Sequence, residues 1–229
     1  MLMKHKAFSL LYFIVFSFVL ASAFFLDAVL YQVARPCMVL FLLIYFFVNT
    51  RLKGRFHKRL FTGLCFAGLA DLVMLFYHDH ASLSVYTYIL FGFATIFFIR
   101  AFYLDFRSAQ ELDKSGARIG IATCAILGMG FYLYFRPYVS QDVLAVMLAT
   151  FLISMLLMMA IFRNQRVNEL SFKLILAGTI CLALTLAVFT VNKFVAPFNG
   201  ATLVLFSGYV VGQYLVIIGG VERQLLHHH

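Results

Sequence analysis

Three charged residues, Arg35, Asp71 and Arg100, stand well inside long apolar stretches of the chain. An ionisable group surrounded by hydrocarbon is expensive and normally faces a protein interior or a wet cavity, so each is a candidate for chemistry. Asp71 is the one carboxylate of the three. A carboxyl group can deliver a proton in one ionisation state and, in the other, stabilise a cation or take a proton from water. Arg35 offers the matching positive charge; the bland alternative is an ion pair that only fixes helix register. Arg100 lies near the end of its apolar run, where a long side chain can snorkel to the headgroups, and that role is favoured over a place in a site.

The elements that must position these groups are membrane-crossing helices. With 229 residues, 64% hydrophobic and 12% charged, and a mean hydropathy of +0.97, the chain lies far from the balance of a soluble domain. Eight apolar runs cover Ala7 to Leu26, Ala28 to Val48, Leu60 to Tyr77, Leu83 to Leu104, Ala117 to Phe135, Val143 to Phe162, Ser171 to Val191 and Gly200 to Gly220. Each is near the roughly twenty residues that a helix needs to span about 30 Å of hydrocarbon. They are continuously apolar, which argues against the alternating pattern of a β-barrel. The expected fold is therefore an all-α integral membrane protein, one bundle of eight transmembrane helices over residues 1–224 with a short tail, 225–229. No linker or low-complexity tract divides it, and the longest polar connection, Asp105 to Gly116, is too short to fold alone. The closing His227, His228 and His229 have the composition of an expression-tag remnant.

A net charge of +9 raises nucleic acid as a partner, but the distribution of charge argues against it. Lys4 and Lys6, the group from Arg51 to Arg59, then Arg107, Lys114 and Arg118, then Arg163, Arg166 and Lys173, and finally Arg223 fall on alternate connections, while the intervening ones hold only Arg136 and Lys193. That asymmetry is the positive-inside signal and puts both termini in the cytoplasm, as expected of a multi-pass protein of a bacterial inner membrane. The basic loop from Asn49 to Arg59 reads first as a topology determinant and only second as an anionic-lipid site. Lys4-His5-Lys6, an apolar run and Ala21-Ser22-Ala23 resemble a signal peptide, but continuation of the run through Leu26 favours a retained first helix.

Depth brings two of the three charges together. In this topology Arg35 lies about 10 Å and Asp71 about 9 Å below the same membrane face, from a rise of about 1.5 Å per residue. Pro36 removes a backbone donor beside Arg35 and is expected to kink helix 2. Gly63, Ala67, Ala70 and Asp71 share one face of helix 3, where small residues admit a neighbouring helix. On helix 8, Gly208, Gly212 and Gly219 form a packing ridge beside a polar stripe of Thr202, Tyr209 and Gln213. A buried Gln213 demands a partner or a wet interior.

Cofactor chemistry finds little support. Cys37, Cys65, Cys124 and Cys181 fall one per helix without ligand spacing, as small packing residues do. His5, His57, His78 and His80 are expected in loops or termini, which leaves no intramembrane haem ligand or proton relay. His78-Asp79-His80 reads as a solvated turn rather than a metal site. No cofactor and no metal are expected.

At these residues a family resemblance emerges. The stretch VNKFVAPFNGATLVLFSGYVVGQYLVIIGG resembles the closing signature of the YhhN, or lysoplasmalogenase, family, in which an Asn-Lys/Arg-Phe turn leads into a last helix with a Tyr and a Gln. GLCFAGLADLVML is similar to that family's small-residue helix ending in Asp, RPCMVLFLLIY to its Lys-Pro-initiated helix, and FFIRAFYL to its His-x-x-Tyr helix. The resemblance implies Asp71, Asn192, Lys193, Tyr209 and Gln213 as site positions, with Tyr103 retained in the fourth helix. Three positions depart from the pattern: Arg35 replaces Lys, Arg100 replaces His, and Thr185-Leu186 stands where a Ser-Asp pair is expected.

The implied activity is hydrolysis of the vinyl ether of a lysoplasmalogen to a fatty aldehyde and a glycerophospho-headgroup, with a membrane lysolipid as partner. Such a reaction needs a proton at the alkene carbon, stabilisation of an oxocarbenium ion and an activated water. Asp71 would be the acid or base and Arg35 would tune it, while Tyr103, Asn192, Lys193, Tyr209 and Gln213 would bind the headgroup or water. Close pairing with Arg35 opposes an acid role, so either the pair loosens on substrate binding or Asp71 acts as charge stabiliser and base. The missing carboxylate at Leu186 motivates the alternative, a non-catalytic protein of the same fold that binds or moves a lipid or small amphiphile.

Overall fold

A chain segment in hydrocarbon must satisfy every backbone N–H and C=O within itself, and a single continuous apolar run does so only as a helix. The computed structural model describes residues 5–25, 28–76, 83–109, 114–139 and 142–226. They form α1 (Lys6–Phe25), α2 (Ala28–Thr50), α3 (Gly54–Leu75), α4 (Leu83–Ser108), α5 (Lys114–Phe135), α6 (Val143–Ile161), α7 (Glu169–Thr190) and α8 (Ala201–Val221). Each of the eight expected runs falls, in its described residues, on one of these helices, give or take a residue or two at the ends; Leu26 and Tyr77 lie outside the described residues. Among the described residues, segments of α2, α4, α5, α6, α7 and α8, six in all, are long and apolar enough to cross a membrane. α1 is an apolar helix of 20 residues, and α3 is diluted by the basic residues of its first turns. Those residues form helix readily, so α3 begins at Gly54 rather than Leu60.

The chain turns tightly from α2 into α3 through residues at positive φ, Arg51 at 46° and Leu52 at 51°. Thr50 closes the preceding helix by donating its hydroxyl to the Phe46 carbonyl at 2.7 Å. α2 stays helical through Pro36. Val191–Val195 add a wide π-turn to α7, and Gly200, at φ 85°, opens α8.

α8 is the most enclosed helix and packs against α7, α2 and α1. Its glycine ridge is spent on α7: a β-carbon at Gly208 would strike Thr185, one at Gly212 would strike Leu182, and one at Gly219 would strike Ile175. Gly178 of α7 faces the Gly212 carbonyl so closely that a β-carbon would lie 2.8 Å from it. α1 covers another side of α8 with aromatic pairs, Tyr12 on Tyr214 at 5.1 Å and Phe16 on Phe206 at 5.8 Å between centroids. The expected small face of α3 is buried, with Gly63 against Phe98 of α4. One end of the bundle, here the basic end, gathers the α2–α3 turn, the α6–α7 connection, His5 and the residues after α8. The π-turn before α8 lies at the other.

Candidate functional site

Asp71 enters the interior from the last turns of α3, on the face kept clear by Ala67 and Ala70. Its carboxylate is wholly buried and accepts a hydrogen bond on Oδ2 from the Tyr209 hydroxyl at 2.7 Å. Arg35 of α2 brings Nη2 to 3.1 Å from Oδ1, the pairing expected from their matched depth. The guanidinium also lies 5.0 Å above the Tyr209 ring centre, and its Nη1 donates to the Met74 sulfur at 3.1 Å. Phe91 of α4 backs the Tyr209 ring edge-on at 5.8 Å. The Arg35 side chain retains 16% of its exposure and that of Asp71 none, so the guanidinium forms the rim and the carboxylate the floor.

The site has unmet hydrogen-bonding capacity. Asp71 Oδ1 and Arg35 Nε have no hydrogen-bond partner, because the guanidinium meets the carboxylate off the line that a bond requires. Gln213, one turn of α8 from Tyr209, is buried with its Oε1 also unpartnered. Buried polar atoms are seldom left so, and two of these belong to one ion pair, which marks it as a place where water or a polar ligand belongs.

The model of the YhhN family matches residues 30–220. The chain belongs to the YhhN family. As a YhhN-family chain with six helices fit to span a bilayer, it is a multi-pass membrane protein. The matched stretch includes Arg35, Asp71, Asn192, Lys193, Tyr209 and Gln213. No curated protein and no solved structure matches the chain.

Other YhhN-like positions lie apart from the carboxylate. Lys193, on the π-turn, donates to the Tyr88 hydroxyl at 3.0 Å and sits 3.4 Å from Asp142 Oδ2. The rings of Phe194 and Tyr88 flank its ammonium at 4.9 and 5.1 Å. Asn192 accepts the Phe198 amide and thereby shapes the turn. Tyr103 is 41% exposed and packs against Phe106, away from Asp71. Arg100 is exposed, as expected for a snorkelling side chain. Of the expected polar stripe on α8, Tyr209 and Gln213 are buried while Thr202 is exposed. Thr185 donates to the Cys181 carbonyl and, with Leu20, Leu184, Val204 and Gly208, lines an apolar groove of about 480 Å³. Gly208 and Tyr209 point about 100° apart around α8, so this groove opens on a different side of the helix from Asp71.

The basic end holds a second set of buried charges that the sequence did not mark. Asp105, expected at the start of a loop, is fully buried within α4. Its Oδ2 accepts from Arg163 Nε at 2.8 Å and its Oδ1 from Arg223 Nε at 2.7 Å. Arg163 also reaches Ser171 Oγ at 3.0 Å, and Ser171 donates to the Gly219 carbonyl at 2.6 Å. Arg166 donates to the Ala109 carbonyl at 2.8 Å. Arg163 and Arg166, expected as solvated topology charges, are therefore buried staples. His5 is likewise buried rather than free at a terminus, and its ring bonds Tyr45 and Glu222. All these residues sit at the margins of apolar runs, where a sequence cannot separate an inward charge from a headgroup-facing one. His78-Asp79-His80 lies outside the described residues.

Proposed function

We propose that this YhhN-family protein is a lysoplasmalogenase-like hydrolase of a bacterial inner membrane, folded as one unit of eight transmembrane helices with the basic end and both termini in the cytoplasm. The observation that carries the proposal is a fully buried carboxylate with an unsatisfied oxygen, reached past an arginine at the rim. The basic residues of alternate connections support the orientation. A long-chain lysolipid enters laterally between α2 and α3, where Met74 is exposed beside Arg35.

As Arg35 turns toward the substrate, Asp71 takes up a proton and delivers it to the alkene carbon of the vinyl ether. The resulting oxocarbenium ion is stabilised by the Asp71 carboxylate. Water, oriented by Gln213 Oε1, attacks the cationic carbon and returns a proton to Asp71. The hemiacetal collapses to fatty aldehyde and glycerophospho-alcohol, so one carboxyl group serves first as acid and then as base. Tyr209 holds the carboxylate in place throughout. Lys193 binds the phosphate: it rests on Tyr88, one turn of α4 beyond Phe91 and hence about 4.5 Å along the axis from the ring that backs Tyr209. The glycerol of a lysolipid spans a comparable length. Asn192 shapes the turn that carries Lys193, and Tyr103 takes no part.

Aldehyde release from a vinyl-ether lysolipid, followed by mass spectrometry for the parent, Asp71→Asn and Leu186→Asp, tests the proposal. Release by the parent and its loss in Asp71→Asn are expected. Activity confined to Leu186→Asp would favour the second reading, a lipid-binding protein without catalysis, which the apolar groove beside Thr185 supports.

A further inference from the structure

Charges that set topology need only lie in the right loop. Those at the α3–α4 seam instead converge on one another. Arg55 and Arg59 are one turn apart on α3, and Arg59 Nη1 donates to the Arg100 carbonyl of α4 at 2.7 Å. Arg59 thus bears the like charge of both Arg55 and Arg100. Arg100 is eight residues before the end of α4, about 12 Å inside it. Its side chain nevertheless faces outward, on the same exposed face as Tyr103 and Arg107. No described carboxylate pairs with any of the four arginines, and Asp105 is fully engaged by Arg163 and Arg223. The start of α3 adds to the positive field. Its N-cap, Lys53, makes no capping bond and its first turn has no acidic residue, so free N–H groups and the positive end of the helix dipole lie beside the cations.

We propose that Arg55, Arg59, Arg100 and Arg107, with Tyr103, form a binding site for the phosphate of an anionic phospholipid in the leaflet at the basic end. The planar fork of arginine matches phosphate oxygens two at a time, and a half-exposed tyrosine suits the interfacial level of the lipid glycerol. The site is separate from Asp71 and does not depend on the hydrolase proposal. It gives Arg100 and Tyr103, which the carboxylate site leaves unused, a shared role.

Thermal unfolding of the purified full chain in a neutral detergent tests this, with phosphatidylglycerol, phosphatidylcholine or inorganic phosphate added. Phosphatidylglycerol is expected to raise Tm by several degrees more than phosphatidylcholine, and millimolar inorganic phosphate to leave it unchanged. Arg59→Gln/Arg100→Gln should lose at least half of the phosphatidylglycerol-selective shift, and Arg59→Lys/Arg100→Lys a smaller part of it. The charge-matched control Arg118→Gln/Lys173→Gln should retain it. Arg100→Gln alone, an exposed change remote from the buried networks, should show the same loss at smaller amplitude by native mass spectrometry of retained lipid. Equal shifts with the two lipids, or an equal loss in the control, would overturn the site. An equal shift with inorganic phosphate would overturn its assignment to lipid.

Discussion

Asp71 and Asp105 are both buried aspartates paired with arginine, yet they are built to opposite ends. Each Asp105 oxygen meets a guanidinium nitrogen in line, and its partner Arg163 is satisfied further by Ser171 and flanked by Phe56 and Phe102 at 5.7 and 5.3 Å. Asp71 has one in-line donor, Tyr209, and an ion pair on its other oxygen that falls short of a hydrogen bond. The first is a closed joint between α4, α7 and the residues after α6 and α8. The second has room for one more partner. Burial and pairing are common to both, so neither marks a site; residual hydrogen-bonding capacity does.

The largest test of this contrast is Asp105→Asn. It leaves a wholly buried Arg163 without its counter-charge, a change of about 3–5 kcal/mol, and should prevent stable folding or collapse Tm in detergent. Asp71→Asn should be milder in stability, because Arg35 at the rim can turn toward the membrane surface, while aldehyde release falls by roughly 10²-fold or more. A collapse of Tm as deep as that of Asp105→Asn would make the two aspartates equivalent and erase the contrast. Tyr209→Phe removes the single in-line donor to Asp71; a destabilisation of about 1–3 kcal/mol is expected by chemical denaturation, with turnover also reduced. The smallest effect should come from Gln213→Leu, where loss of an unpartnered acceptor makes stability unchanged or slightly higher while turnover drops. A marked loss of stability there would mean that Gln213 is already satisfied and is not waiting for water.

The helices were legible because hydrocarbon permits few alternatives: every apolar run became a helix, and even the glycine ridge of α8 could be assigned to packing. The Arg35–Asp71 meeting was legible for the same reason, since two isolated opposite charges at one depth have strong cause to find each other. The closed joint was not. Asp105, Arg163 and Arg223 lie at helix margins, where charges also serve topology, and only the three-dimensional path of α7 and α8 turns them inward. Tyr209 was reached through the polar stripe of α8 and again through the family signature, but its role as the donor to Asp71 required knowing which face of α8 meets α3. Lys193 shows the converse: family position placed it in the site, while the π-turn directs it to Tyr88 and Asp142.

The central position of α8 also imposes an order in time. Synthesis delivers α3 and α4 first, yet Tyr209, which completes Asp71, and Arg223, which completes Asp105, come with or just after the final helix. α1 stacks Phe8 on Tyr45 of α2, but Tyr12 and Phe16 find their ring partners on α8, and His5 finds Glu222 just beyond it. A ribosome that stops before residue 200 would therefore release a chain in which Asp71 lacks Tyr209, Asp105 lacks Arg223 and one side of α1 is uncovered in the bilayer. Such a chain exposes the features by which a membrane protease can tell an unfinished protein from a finished one.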